Sequence, residues 1–477
     1  MGELLLFPLL FSILFVTEPF VSSYDGPLYD SSAYTECKLQ PEMPLYNGGM
    51  LKNQEPNIEQ VILDNGDGLP SLSSDKGQPH HGRNNNKMHR DCDCKAGLLS
   101  LDSRDVNIAI ASASLQPFTE EQWRLNQEAK INEARKRAVT IHVSDRQGLE
   151  LHGAAVRVEQ VSKDFPFGSA IAKTIIGNEE YQKWFVERFN AAVFENELKW
   201  DATEHIQGQR PGIGRQLQNT KPDEQYKQEF VHWDVSNEML HFDFYEERLG
   251  ADATLKFFKT AHEADPLATL FMNEFNVVET CEDVDSTVDA YVSRMRALKL
   301  GGVSMDGIGL QGHFDAPNSP LMWGILDKLA TLGLPIWLTE VDISNKFSKE
   351  TQAIYLEQVL REGFSHPAVN GIILWTALRQ GGCYQMCLTD GDLNNLPAGD
   401  TVDKLLKEWQ TGTLEGRTDE HGSYSFFGFL GEYVVTARYG NKNSLFNIFA
   451  LTRKRNQTLK RSIVTGLKLS GFDHHLL

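Results

Sequence analysis

Seven short apolar or aromatic runs, FPFGSAIA, AAVFEN, FVHWDVSNE, ATLFMNEFN, GIGLQGHF, IWLTEVDIS and GIILWTAL, recur between residues 165 and 378. The stretches between them, such as TVDAYVSRMRALKLGG and TQAIYLEQVLREGF, carry apolar residues at helical spacing. Parallel strands need long crossovers, usually helical, so this alternation specifies a βα series. Seven strands within roughly 210 residues favour a closed barrel over a doubly wound sheet. Polar and acidic residues gather at the C-terminal ends of the runs, the face on which such a barrel places its chemistry.

At 477 residues the chain leaves room for appendages around a barrel of that size. Lys plus Arg number 46 against 65 Asp plus Glu, and the formal net charge of −19 gives no general attraction to phosphate backbones or anionic lipid. Neither nucleic acid nor a membrane surface is an expected partner. The apolar run from Leu4 to Val16 is shorter than the roughly 20 residues that span a bilayer, and small polar residues follow it, so residues 1–23 read as a secretory signal. The six cysteines, Cys37, Cys92, Cys94, Cys281, Cys383 and Cys387, are too sparse for a disulfide scaffold, although an oxidising compartment would permit Cys383 to pair with Cys387. Cys92-Asp-Cys94 lacks the spacing of a zinc site, and no metal is expected. The sequon Asn456-Gln-Thr458 agrees with a secreted, glycosylated chain.

Residues 24–117 contain a long stretch with neither strand alternation nor a helical stripe, read as disordered or loosely attached. Thr119 and Gln122 form a capping-box pattern for a helix over EEQWRLNQEAKINEARKR. The following AVTIHVSDRQGLELHGAAVRVEQV alternates apolar and polar residues around a turn, so 118–160 reads as a lead-in helix and a β-hairpin. The barrel is assigned to 161–410, and the aromatic, strand-like pattern of 411–477 to a β-rich C-terminal extension.

Two strand ends carry glutamates in polar and aromatic surroundings, Glu238 in WDVSNE and Glu340 in WLTEVDIS. Two carboxyl groups about 5–5.5 Å apart are what retaining glycoside hydrolysis requires, one attacking the anomeric carbon and one protonating the leaving oxygen. From spacing alone, ordinary solvated glutamates are an equal alternative.

The segments FNAAVFENELKWDATE, HWDVSNE, MNEFN, GIGLQGHF and LTEVDIS, in this order, resemble glycoside hydrolase family 10, and within it the secreted plant endo-1,4-β-xylanases. The resemblance covers residues 160–410. It implies a (β/α)8 TIM barrel of the α/β class, hydrolysis of internal bonds of cell-wall xylan with retention, no cofactor, and a monomer. By the family pattern Glu238, after Asn237, is the acid/base and Glu340 the nucleophile. His313 and Asp342 would bond and orient the nucleophile. Glu195, Asn196 and Lys199 would hold sugars on the non-reducing side, with Gln311 reaching the same region. Trp375 would form the floor beneath the reacting sugar, and Asn276 would contribute at the +1 side.

Two departures accompany the resemblance. The 33 residues from 200 to 232 are too few for helix 2, strand 3 and helix 3 of an intact barrel, so the third βα unit is expected to be missing, with the family's Gly-His-x-x-x-Trp element. SSAYTECKLQPEMPLYNGGM and VNIAIASASLQPFT resemble the two ends of a family 22 carbohydrate-binding module whose β-rich middle is replaced, so 24–117 is expected to be a degenerate remnant. These departures leave open a catalytically impaired, xylan-binding protein of the wall.

Overall fold

A computed structural model describes residues 119–199 and 230–440, less 146 and 304, together with the strand segments 61–62, 112–113, 442–451 and 457–462. The expected signal segment, nearly all of the expected module remnant and its low-pattern stretch, the span 200–229 with its expected loss of a βα unit, and Asn456 lie outside the described residues.

The lead-in helix runs over Glu120–Arg135, and its capping box forms as the sequence specifies: the Gln122 amide donates to Thr119 Oγ1 at 3.2 Å and the Thr119 amide to Gln122 Oε1 at 2.8 Å. Two strands follow, β1 (Lys136–Ser144) and β2 (Ala155–Gln160). Then comes the barrel sheet: β3 (Phe167–Ile171), β4 (Ala191–Phe194), β5 (His232–Asp234), β6 (Thr269–Glu274), β7 (Gly307–Leu310), β8 (Ile336–Ile343) and β9 (Val369–Leu374). All seven apolar runs are strands. They pair in parallel in the order β4-β3-β9-β8-β7-β6-β5, with His313–Phe314 added beside the end of β8. That order, with helices in the described connections between consecutive strands, is the winding of a (β/α)8 barrel. β4 and β5 end the order and do not pair with each other among the described residues, although the rings of Phe194 and Phe230 approach to 6.0 Å.

Central strands buried on both faces read as near-continuous apolar runs, and these do. Leu270, Met272, Ile308, Leu310, Ile336, Leu338, Ile372 and Leu374 face the helices, whereas Phe271, Trp337 and Ile373 fill the interior with Ala191 and Val193. Glycine makes room for the two large rings. A Cβ at Gly307 would overlap the Phe271 ring, and one at Gly371 the Trp337 indole. Three of the surrounding helices are capped by side chains at their starts: Thr287 accepts from Ala290, Asn318 from Leu321, and Ser348 from Thr351.

The hairpin expected in AVTIHVSDRQGLELHGAAVRVEQV does not form. β1 and β2 belong to different sheets and are linked near their turn only by an isolated bridge, Ser144 to Glu150. β1 pairs with β11 (Ser423–Phe429) and β14 (Gln457–Ser462); β2 pairs with β10 (Thr413–Arg417) and β12 (Gly431–Tyr439), and β12 with β13 (Lys442–Leu451). The reason is burial: Val139, Ile141 and Val143 of β1 and Val156 and Val158 of β2 share one core with Tyr433, Val435 and Ala437. Facing one another across that core satisfies both apolar stripes, which pairing edge to edge would leave on one open surface. The lead-in strands and the C-terminal extension are therefore one two-sheet unit, with the barrel inserted between β2 and β10.

Arg135, 2 % exposed, joins the parts. Its Nε donates to the Phe364 carbonyl at 2.9 Å, its Nη2 to those of His366 and Val369 at 2.8 and 2.7 Å, and its own carbonyl accepts from the Leu430 amide. The lead-in helix docks through Glu362, fully buried in the helix Lys349–Ser365, whose Oε2 accepts from Trp123 Nε1 at 2.9 Å and Gln127 Nε2 at 2.8 Å. Burial pushes the Glu362 carboxyl up to about 8, against those bonds. A raised carboxyl pKa means that the folded state binds the extra proton, so stability falls as pH rises from the ordinary carboxylate range to about 8 and is flat above it. Glu362→Gln keeps the acceptor and removes the ionisation. We expect a gain of about 1–2 kcal/mol at pH 8.5 and little change at pH 5, after allowing for relaxation that keeps the effect below the full 1.4 kcal/mol per unit. Thermal unfolding at both pH values checks it, and an equal shift at the two would contradict a buried titration.

Candidate active site

Glu238 sits in a turn just past the end of β5, and its backbone is in the left-handed region at φ 61°, as is Ser236 at φ 52°. Non-glycine residues there are strained and persist where surroundings hold them. Here the Glu238 amide donates to the Asn273 carbonyl at 3.0 Å, and the Glu238 carbonyl accepts from the amides of His241 and Phe242. The turn is thus pinned to β6. The side chain then points at two neutral amides: Glu238 Oε1 accepts from Gln311 Nε2 and from Asn237 Nδ2, both at 2.9 Å.

Glu340 lies in β8 and is 7 % exposed. Its Oε1 accepts from Asn273 Nδ2 at 3.0 Å, and its Oε2 is 3.5 Å from His313 Nε2. Its amide donates to the Gln311 carbonyl at 2.7 Å. The two carboxylates are thereby joined through two shared residues. Gln311 bonds Glu238 by its side chain and Glu340 by its backbone, while Asn273 Nδ2 also donates to Asn237 Oδ1 at 3.0 Å.

His313 gives this pair its charge balance. Its Nδ1 is 2.9 Å from Asp342 Oδ1, and Asp342 is fully buried. Burial opposes the imidazolium, but hydrogen bonds and charge from Asp342 and Glu340 outweigh it and hold His313 up to about 10. At neutral pH a cation therefore stands beside Glu340. Backbone bonds fix the ring: the amides of Gly312 and His313 both donate to Glu279 Oε1, at 2.8 and 3.2 Å. Gly312 has φ 92°, a conformation that glycine adopts without a Cβ penalty.

Trp375, 6 % exposed at the end of β9, lies edge-on to His313 at 6.4 Å, with the Lys199 ammonium 5.4 Å over its ring. Glu195, after β4, is buried and held by Arg379 rather than open to solvent. Asn196 is exposed in the same turn, its amide donating to Glu197 Oε2 at 3.1 Å. Asn276, expected on the +1 side, binds Asp283 Oδ2 at 2.8 Å and belongs to a neighbouring cluster in which His241 lies between Glu274 (2.7 Å) and Asp283 (2.9 Å).

Two groups escape a reading of the sequence. In MNEFN the interior asparagine is Asn273, which lies in β6 and is fully buried, and it is Asn273 that touches Glu340. Alternation along β6 could have distinguished it from Asn276, which lies beyond the strand. Arg379 carries no such signal, because its partner is 184 positions away.

The arrangement offers one carboxylate amid neutral amide donors and another beside a cation, at the C-terminal face of a parallel barrel sheet. The sequence model of Glycosyl hydrolase family 10 matches residues 220–380. Endo-1,4-beta-xylanase 4 of Arabidopsis thaliana is 33 % identical over 419 residues, covering 74 % of this chain and 72 % of the relative. Endo-1,4-beta-xylanase 1 of the same plant is 31 % identical over 404 residues, covering 74 % of this chain and 42 % of the relative. The chain also spans 63 % of Arabidopsis endo-1,4-beta-xylanase 5. Among solved structures, xylanase 10B from Thermotoga petrophila RKU-1 in complex with xylobiose has 21 % sequence identity and a TM-score of 0.43, covering 51 % of this chain and 94 % of that one. With a relative at 33 % identity aligned over nearly three quarters of both chains, this chain belongs to glycosyl hydrolase family 10.

Proposed function

We propose that the chain is a retaining endo-1,4-β-xylanase that hydrolyses internal bonds of xylan by double displacement. The observation that supports this most is the single hydrogen-bonded network holding Glu238 and Glu340, with the His313 imidazolium on the Glu340 side only. Two carboxyl groups in unlike environments divide acid and nucleophile roles. In the first displacement a Glu340 oxygen bonds to the anomeric carbon while the bond to the leaving sugar breaks and Glu238 gives its proton to the departing oxygen. In the second, Glu238 takes a proton from water, the water oxygen bonds to the anomeric carbon, and Glu340 leaves as a carboxylate. Trp375 provides an apolar ring against which the C–H face of a sugar can stack. Asn237, whose Nδ2 touches Glu238, and Asn273 keep the two side chains aligned. Secretion to the cell wall, from residues 1–23, and glycosylation at Asn456 belong to the same reading.

Proton NMR during cleavage of xylohexaose tests it: the β anomer of the new reducing end should appear first and mutarotate later. An α-first product would exclude retention. A second reading, xylan binding without turnover, is favoured by the short span 200–232, and calorimetric binding of xylohexaose with no product would select it.

A further inference from the structure

The turn that carries Glu238 is strained at Ser236 and Glu238, and the bond from the Glu238 amide to the Asn273 carbonyl holds its start to β6. The next residue of β6 holds its other end. Glu274 is fully buried; its Oε2 accepts from the Leu240 amide at 2.8 Å, and its Oε1 lies 2.7 Å from His241 Nδ1. On the far side of the ring, His241 Nε2 is 2.9 Å from Asp283 Oδ2, which also accepts from Asn276 Nδ2. The ring stacks on Phe275 with 3.8 Å between centroids and 12° between planes. His241 thus ties three segments together: the turn, the end of β6, and the loop that reaches Asp283.

A carboxylate only accepts hydrogen bonds, so an imidazole between two of them fills both contacts when both ring nitrogens carry protons. Both Glu274 oxygens already accept backbone amides, Oε2 from Leu240 and Oε1 from Phe275 at 3.1 Å. Burial opposes the charged ring, but hydrogen bonds and charge from Asp283 and Glu274 outweigh it and raise the His241 pKa. Burial also pushes the Glu274 carboxyl up, and His241 is the cation that opposes this. The ring bonds go to Glu274 and Asp283, whereas the Glu238 carboxylate is bonded by Gln311 and Asn237. The link to Glu238 runs through the backbone, because the His241 amide donates to the Glu238 carbonyl at 3.2 Å. Glu340 is held by other contacts, from Asn273 and His313. We infer that His241 is a positioning residue that aims Glu238 at the leaving oxygen and takes no part in placing Glu340. The inference rests on the acid/base reading of Glu238.

The test compares wild type, His241→Gln and Glu238→Ala on xylohexaose and on an aryl xylobioside whose acidic phenol departs without a proton. On xylohexaose His241→Gln should lose about 10–100-fold in kcat/KM, the scale of a misplacement of about 1 Å. On the aryl xylobioside kcat/KM should fall by less than about threefold, while kcat and KM drop together because the glycosyl ester waits for a base, and azide should restore kcat. A smaller folded fraction would cut both substrates alike. Equal losses on the two substrates, or no loss on xylohexaose, therefore overturn the inference. Asp283→Asn is the second variant: its side chain is 19 % exposed, it keeps an oxygen for Asn276, and it removes one of the two charges on the ring. It should show the same selective loss at smaller size, and it decides by the same criterion if His241→Gln does not fold. If Glu238→Ala loses equally on both substrates, the acid/base reading fails; if wild type cleaves neither, the xylanase reading fails. Amide hydrogen exchange then judges His241 separately. The amides of 238–242 should exchange about tenfold faster in His241→Gln than in wild type, with those of β8 unchanged, and an unchanged turn overturns the inference.

Discussion

Glu340→Gln should lower kcat/KM on soluble xylan by at least about 10⁴-fold, equivalent to about 5.5 kcal/mol of transition-state stabilisation. The amide is nearly isosteric, so it can still accept from Asn273 and the fold should be undisturbed, but it cannot form or release a glycosyl ester. Calorimetric affinity for xylohexaose should change far less than turnover. His313 adds a second readout, because its imidazolium is supported by Glu340 as well as Asp342. Removing one of the two charges should lower the pH at which the ring loses its proton, visible in the imidazole resonances on titration. A variant that retains even a tenth of the wild-type rate would remove Glu340 from the nucleophile role.

Glu238→Ala should cost about 10³-fold on xylan, within the range expected for loss of general acid–base assistance. The loss should depend on the leaving group in a way that Glu340→Gln cannot imitate. An aryl xylobioside with an acidic phenol needs no proton to depart, so the first displacement survives and the glycosyl ester accumulates as a burst of phenolate. Azide, which attacks without a base, should then restore turnover and give the β-glycosyl azide, its nitrogen bonding to the anomeric carbon as Glu340 leaves. An equal loss on both substrates with no effect of azide would mean that Glu238 acts in position rather than in proton transfer.

These roles were legible in the sequence to the extent that they lie at strand ends. The apolar runs locate all seven barrel strands, because the central strands of a parallel sheet covered on both faces read as near-continuous apolar runs, and Glu238 and Glu340 stand near the ends of two of those runs. His313 and Asp342 were named only through the family resemblance; in the structure Asp342 lies within β8 and His313 in the short strand beside it. What escaped was non-local. Nothing around Asn273 separates it from Asn276 except its parity in β6, and nothing around Glu195 announces an arginine 184 positions later. The pairing of β1 and β2 was misread for the same reason: their alternation is that of a hairpin, and only the distant partners β11 and β12 show that each strand is completed elsewhere.

That pairing also fixes an order of events during synthesis. Thr140 in β1 meets Ser425 in β11, 285 positions later, with the barrel made in between. At about 5–20 residues per second a ribosome takes roughly 15–60 s to supply the partner, far longer than local strand or helix formation requires. During that interval β1 and β2 are unpaired edges carrying an apolar stripe, the kind of surface that recruits other chains. The lead-in helix can dock through Trp123 and Arg135 once the segment containing Glu362 and Val369 has emerged, which draws both edges toward the barrel before their partners exist. The last strands to be synthesised therefore decide whether the first ones remain soluble, and a chain stopped before β10 would hold the barrel strands and still be prone to aggregate.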